Sequence, residues 1–291
     1  MKYIMLTAAL LPPALLAAEP VSDAELTNEQ NAVEKRLADE RETSANPFVL
    51  TPHKPNYLLF ANVIDNPPQD LYTNVVDLQD VEVKFQLSMK MPLWVSTAKH
   101  GPAVVFAYSQ VSNWQAYNKA ESSPFRETNY EPEMFVAWQP DYNLVAGWSL
   151  QLADLGIVHQ SNGRSEPLSR SWNRVKARFG FEQGRAGVLV IPWYRIPEEA
   201  KDDNNPDIDD YMGHGEIRAA YKWHDHTFSV MSRNMIESGF SKGGMEASWS
   251  FPVTSRIKGY VQVFSGYGNN LIEYNHYNNT VGVGVALTDW L

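Results

Sequence analysis

From Val81 to Met91 the chain alternates without a break, and this constrains its fold more than any other feature. Val81, Val83, Phe85, Leu87, Met89 and Met91 are apolar, and Glu82, Lys84, Gln86, Ser88 and Lys90 between them are polar. Successive side chains of a strand point to opposite faces, so this segment predicts a long strand with one greasy and one wet face. The pattern recurs at Val188, Val190, Pro192, Tyr194 and Ile196, and again at Met245, Ala247, Trp249 and Phe251. Near the end, Val281, Val283, Val285 and Leu287 share a face, opposite glycines, Ala286 and Thr288. Such a strand, running on towards Trp290-Leu291, is how an outer-membrane barrel is expected to finish.

The compartment is suggested by the first residues. A short basic start (Met1-Lys2), an apolar run from Ile4 to Leu16 and the small pair Ala17-Ala18 predict a secretory leader over residues 1–18. Beyond it, nothing approaches the roughly 18 consecutive apolar residues of a spanning helix. The chain has no cysteine, so disulfides cannot hold it together. Its net charge of −10 argues against nucleic acid as a partner. Residues 19–45 are polar and charged, and predict an exposed periplasmic arm, helical or disordered, with no core of its own. Residues 46–291 then predict an all-β unit. At about 20 residues per strand and turn, this unit fits a transmembrane antiparallel β-barrel of about 12 strands. Nine tryptophans and fourteen tyrosines, often near strand ends, suit aromatic girdles. A soluble β-sandwich shares the alternation, but the strand lengths and the disulfide-free exported chain favour the barrel.

The chemistry concentrates between Gly156 and Arg174. On a strand, His159 and Ser161 lie two residues apart and share a face with Leu155 and Ile157. Asn173 shares a face with Val175, Ala177, Phe179 and Phe181, and would sit on the neighbouring strand across a short loop. A base, a nucleophile and an orienting amide would thus extend an apolar, lipid-facing row. A channel would keep its working residues in the lumen. A nucleophile on the outer wall has the lipid itself as its substrate. Ser161 needs a base, His159 is the nearby side chain that can serve as one, and Asn173 could set the imidazole tautomer. A backbone N–H at Gly163 is placed to meet an oxyanion.

Two segments carry a family resemblance: His159-Gln-Ser-Asn-Gly-Arg-Ser-Glu-Pro-Leu-Ser-Arg-Ser-Trp-Asn-Arg174 and Ser122-Ser-Pro-Phe-Arg-Glu-Thr-Asn-Tyr-Glu-Pro132. Shorter ones are Glu82-Val-Lys-Phe-Gln-Leu-Ser88, Asn205-Pro-Asp-Ile208, Tyr211-Met-Gly213, Ser265-Gly-Tyr-Gly268 and Val281-Gly-Val-Gly-Val285. Together they resemble the outer membrane phospholipase A family from about Asn46 onward, leaving the arm and leader outside. The resemblance implies a 12-stranded barrel that hydrolyses acyl esters of phospholipids and lysophospholipids and depends on Ca2+. It implies Ser161 as nucleophile, His159 as base, Asn173 as orienter and the Gly163 amide as oxyanion donor. Calcium would be held by the Arg164 carbonyl and the Ser169 hydroxyl, with Ser122 supplied by a partner subunit. The active form would be a homodimer, with Gln110 in the interface. A second calcium position would use Glu166 and Asn204, with Asp203 next door as a substitute. Where the family has an aspartate after the histidine this chain has Gln160, which parity turns to the opposite face.

Other signals are weaker. Gly239-Phe-Ser-Lys-Gly243 matches a nucleophile elbow in letters only, since a strand rather than a helix follows it. The acidic run Asp202–Asp210 lacks the glycine and final glutamate of an EF-hand. His53, His100, His214, His224, His226 and His276 have no zinc spacing. The competing expectation is a passive outer membrane pore or structural barrel in which the polar hairpin is incidental.

Overall fold

The computed structural model describes residues 32–43, 46, 49–65, 67–72, 77–98 and 101–290. The expected leader and the first part of the arm lie outside the described residues. Twelve long strands make the wall. They are β1 (Asn56–Asp65), β2 (Val81–Val95), β3 (Ala103–Trp114), β4 (Phe125–Trp138), β5 (Ser149–Ser161) and β6 (Ser171–Gln183). The second half is β7 (Ala186–Ile196), β8 (Gly215–Trp223), β9 (His226–Arg233), β10 (Gly244–Pro252), β11 (Lys258–Gly266) and β12 (Asn278–Thr288). Each pairs antiparallel with the next, and β12 pairs with β1 through Val281 opposite Val63 and Val283 opposite Ala61. The sheet is therefore closed, and its wall leaves no unpaired edge, as a bilayer requires.

The expected faces are observed. Leu87, Leu155, Ile157, Val281 and Val283 stand 47 to 59% exposed on the outside. Their neighbours Glu82, Ser88, Asp154, Val158 and Gln262 are buried inside. Trp94, Trp138, Trp223 and Trp249 form an outward aromatic band near one rim. Trp172 and Trp193 depart from the girdle expectation, because parity turns them inward and both are buried.

The lumen is packed with paired charge. Arg126 donates to Glu82 at 2.8 Å, to the Tyr72 hydroxyl at 2.9 Å, and to Glu273. Glu133 sits among His53, Lys176 and Arg178, and Arg178 also reaches Asp154 at 2.8 Å. Charges buried this deeply persist only when each has an opposite partner. An internal cavity of about 400 Å³ remains between these groups, lined by Lys84, Glu131, Arg174 and Glu246.

One rim has short turns and the other long loops. At the short-turn rim the arm is helical over α1 (Ala32–Thr43), and it is not free. Glu182 accepts from the Val33 and Glu34 amides at 2.7 and 3.2 Å, which caps the helix N-terminus. Arg36 donates to the carbonyls of Asp289, Trp290 and Pro52, and Lys90 reaches Glu40 at 2.6 Å. The described part of the arm, α1, is largely exposed as expected but tethered across the barrel mouth, because its charges match carbonyls and ions on the rim. At the other rim, α2 (Ile208–Met212) and the β11–β12 loop fold over the interior. Ile208, Met212, Leu271 and Tyr274 pack on Trp172, Ile191 and Trp193. Outside the wall strands, burial pushes the Tyr274 phenol up, helped by the Asp207 carboxylate to which it donates.

Candidate active site

At the long-loop rim, β5 ends at Ser161 and β6 begins at Ser171. Their register sets Ser161 opposite Ser171 and His159 opposite Asn173. Directly opposed residues hold their Cβ atoms about 5 Å apart, within reach of an imidazole–amide bond. His159 Nδ1 lies 2.8 Å from Asn173 Oδ1. With the accepting Asn173 Oδ1 on this side, the contact is a hydrogen bond when Nδ1 carries the proton, the tautomer that turns an unprotonated Nε2 outward. Ser161 follows on the same outward face, beyond the exposed Leu155 and Ile157. The other end of the amide is also engaged: Asn173 Nδ2 donates to Glu198 Oε1 at 2.9 Å.

The inward side of this hairpin is bonded to the barrel interior. Gln160 turns into the barrel as parity predicts, accepting from Trp172 Nε1 at 2.8 Å and from Arg174 at 3.1 Å. The Arg174 guanidinium lies over the Trp172 ring, and Trp193 Nε1 donates to the Gly213 carbonyl. The strands that carry His159 and Asn173 are thereby held from behind by residues packed under α2 and the β11–β12 loop.

The loop 162–170 is organised by Asn162, a residue the sequence did not single out. Its Oδ1 accepts from the Arg170 and Arg164 amides at 3.0 and 3.3 Å, and its Nδ2 donates to the Leu168 carbonyl at 2.8 Å. A buried asparagine bonding its own loop is an Asx-type local closure. Its position just after a strand was the available signal. Gly163 has φ +64°, and a Cβ there would sit 3.1 Å from the Tyr130 ring, so both conformation and space favour glycine. Tyr130 is the β4 residue opposite Ser161.

The residues expected to hold calcium lie close in this loop. The Arg164 side chain is tied to Glu127 at 2.9 Å and to the Arg126 carbonyl, which fixes the course of its backbone. Ser169 Oγ accepts from Asn204 Nδ2 at 2.8 Å, and the same nitrogen lies 3.4 Å from Glu166 Oε1. Asn204 Oδ1 in turn accepts from the Ser171 amide. Asp203 does not join them, because its carboxylate pairs with Arg195 at 2.8 Å. Among the described residues no cluster of three or more His, Asp or Glu could hold a metal. The Asn204 amide turns its NH2 to Ser169 and Glu166 and its oxygen to the Ser171 amide, so the oxygens brought together here are the Ser169 hydroxyl and one Glu166 carboxylate, hard donors of the kind Ca2+ takes. Ser122 is exposed in the loop between β3 and β4 at the same rim. Gln110 is two strands from Ser161 in one register row, Gln110–Tyr130–Ser161, so about 10 Å away. It faces outward, bonded to Tyr108 and Ser112 at 3.0 Å each. The glycine motif at 239–243 is a loop closed by Ser238 on Lys242, as expected.

A closed twelve-stranded barrel with an apolar outer wall, carrying a histidine, asparagine and serine on that wall, defines an outer-membrane β-barrel hydrolase. The family model for phospholipase A1 matches residues 33–287, and so reaches into the arm that the short motifs left outside. The chain belongs to the phospholipase A1 family. The phospholipase A1 of Salmonella typhimurium is 40% identical over 98% of this chain and 97% of its own. Outer membrane phospholipase A from Escherichia coli matches with TM-score 0.78 and 41% identity, covering 84% of this chain and 93% of that one. It has also been solved as an active-site mutant in which an asparagine becomes alanine. The Salmonella typhi outer membrane phospholipase, solved as a dimer with bound calcium, matches with TM-score 0.78, 41% identity and coverage of 84% and 94%. This chain is an outer membrane phospholipase, and the expectation of a pore or structural barrel is set aside.

Proposed function

We propose that this phospholipase is a Ca2+-dependent homodimer that hydrolyses acyl esters of phospholipids and lysophospholipids through Ser161, His159 and Asn173. The observation that carries the reading is the 2.8 Å contact of His159 Nδ1 with Asn173 Oδ1, on the lipid-facing wall beside Ser161. With Nδ1–H held by Asn173, His159 Nε2 accepts the Ser161 proton as Oγ attacks the acyl carbonyl. The ester C–O bond breaks, the same proton passes from His159 to the leaving alcohol, and an acyl-serine remains. Water then attacks with His159 again as base, releasing the fatty acid and restoring Ser161. The Gly163 amide, on a φ that only glycine adopts readily, is the donor assigned to the oxyanion.

The Arg164 carbonyl and Ser169 hydroxyl would hold Ca2+, with Glu166 and Asn204 beside them and Ser122 from the partner copy. The ion would supply positive charge where the oxyanion develops. Few protein ligands per chain make affinity rise on association, which couples metal binding to the dimer. The calcium and the dimer of the Salmonella typhi relative support this part. The asparagine of the E. coli active-site mutant supports Asn173. Residues 1–18 are proposed as a cleaved leader, 19–45 as a periplasmic arm and 46–291 as the catalytic barrel.

The test is acyl-ester release by detergent-refolded protein, with Ca2+ and with chelator, beside Ser161→Ala and Asn173→Ala. Activity should require Ca2+ and Ser161, and fall on the order of a hundredfold or more in Asn173→Ala, as when a histidine loses its orienting partner. Full activity in Ser161→Ala overturns the nucleophile assignment.

A further inference from the structure

We infer that Glu198 is a fourth, positioning member of the site, and that its carboxylate sets the orientation of the Asn173 amide. The inference rests on the triad reading above. Asn173 bonds on both sides: Oδ1 faces His159 at 2.8 Å and Nδ2 faces Glu198 Oε1 at 2.9 Å. An amide rotated by half a turn occupies the same space with oxygen and nitrogen exchanged. In the rotated form the NH2 group faces His159 Nδ1, which must then accept. The proton moves to Nε2, and Ser161 has no base. Nothing in the His159–Asn173 pair alone forbids this. A carboxylate accepts and cannot donate, so Glu198 is compatible only with Nδ2 on its side. It therefore selects both the productive amide orientation and the productive imidazole tautomer.

The fold places Glu198 where this is possible. Ile196, the last residue of β7, is the register partner of Asn173. Pro197 has no N–H to continue the ladder, and Glu198 follows on the same outward parity as Ile196. Other charges nearby are committed elsewhere. Arg195 pairs with Asp203 and Asp209, and Glu199 pairs with Lys201. Arg174 and Lys176 on β6 turn into the lumen towards Glu131.

Four variants in the full-length, Ca2+-loaded protein test this: Glu198→Ala, Asn173→Ala, Asn173→Asp, and Asn173→Asp with Glu198→Gln. Glu198→Ala should lower kcat about three- to tenfold, the range of one partly exposed charge-assisted hydrogen bond, with KM nearly unchanged. Asn173→Asp alone sets two carboxylates against each other and should lose far more. The double variant exchanges amide and carboxylate, so that the amide introduced at position 198 donates to the carboxylate introduced at position 173. It should recover kcat at least about fivefold over the single variant. A residue that merely supports the loop would give additive losses and no recovery. Heat-modified gel migration reports that each barrel is folded. If Asn173→Ala is inactive while Glu198→Ala is unchanged and the double variant stays at or below Asn173→Asp, the inference is overturned and the triad stands. If Asn173→Ala is fully active, the triad reading falls and takes this inference with it.

Discussion

Replacing Asn162 by alanine separates the loop that shapes the site from the barrel that carries it. Asn162 makes three side-chain hydrogen bonds, to the Arg170 amide at 3.0 Å, the Arg164 amide at 3.3 Å and the Leu168 carbonyl at 2.8 Å. At about 1 kcal/mol each the loss sums to roughly 3 kcal/mol. The long contact to Arg164, half-buried and open to water, discounts this to about 2 kcal/mol. That corresponds to about a 30-fold shift of the loop away from its ordered form. Gly163, Arg164 and Ser169 all ride on this loop, so oxyanion and calcium groups should be lost together. kcat/KM should fall on the order of tenfold or more, and half-maximal Ca2+ should rise by a similar factor. Asn162→Asp keeps both acceptor bonds but sets a buried carboxylate oxygen against the Leu168 carbonyl and near Glu127, so it should lose at least as much as Asn162→Ala. A calcium titration of ester release for the two variants is the assay, with chemical unfolding of the barrel as control. A wild-type calcium midpoint in Asn162→Ala would refute the reasoning, because the loop would then be ordered without its central side chain.

Two further outcomes are expected. Arg126→Met leaves Glu82 and Glu273 facing each other without their shared cation, and should destabilise the barrel by about 3–5 kcal/mol in a denaturant titration. An unchanged midpoint would mean that the carboxylates find protons or other partners at little cost. Gln110→Leu removes the amide from the outward row level with Ser161, and should weaken dimerisation in detergent roughly tenfold by sedimentation. Activity should then fall at low protein concentration and recover at high concentration, whereas an unchanged dimer constant excludes Gln110 from the interface.

What could be read without coordinates follows one rule. Side-chain direction in a strand depends only on odd or even position, which is local. The alternation over Val81–Met91 therefore predicted a wall with two faces. The parity of Leu155, Ile157, His159 and Ser161 put the site on the lipid side, and the same parity sent Gln160 inward. The arm's helix was among the expected outcomes for a charged segment. That it is tied down by Glu182, Lys90 and the carbonyls just after the last strand was not, since those partners are 50 to 254 positions away in the chain.

Pairings between strands needed the closed barrel. Glu198 reaches Asn173 only because β7 lies beside β6 in a register that ends at Ile196, and register is a property of the whole closed sheet rather than of either segment. The same holds for Arg126 between Glu82 and Glu273, which come from opposite ends of the sequence. Trp172 and Trp193 could be placed on a face by parity, but their burial depended on α2 and the last long loop folding over them. Sequence determined the elements, their faces and the chemistry on the outer wall, because those depend on neighbours along the chain. The tertiary structure alone decided which charges neutralise each other and which carboxylate stands behind the asparagine, because those depend on distances that only closure of the barrel creates.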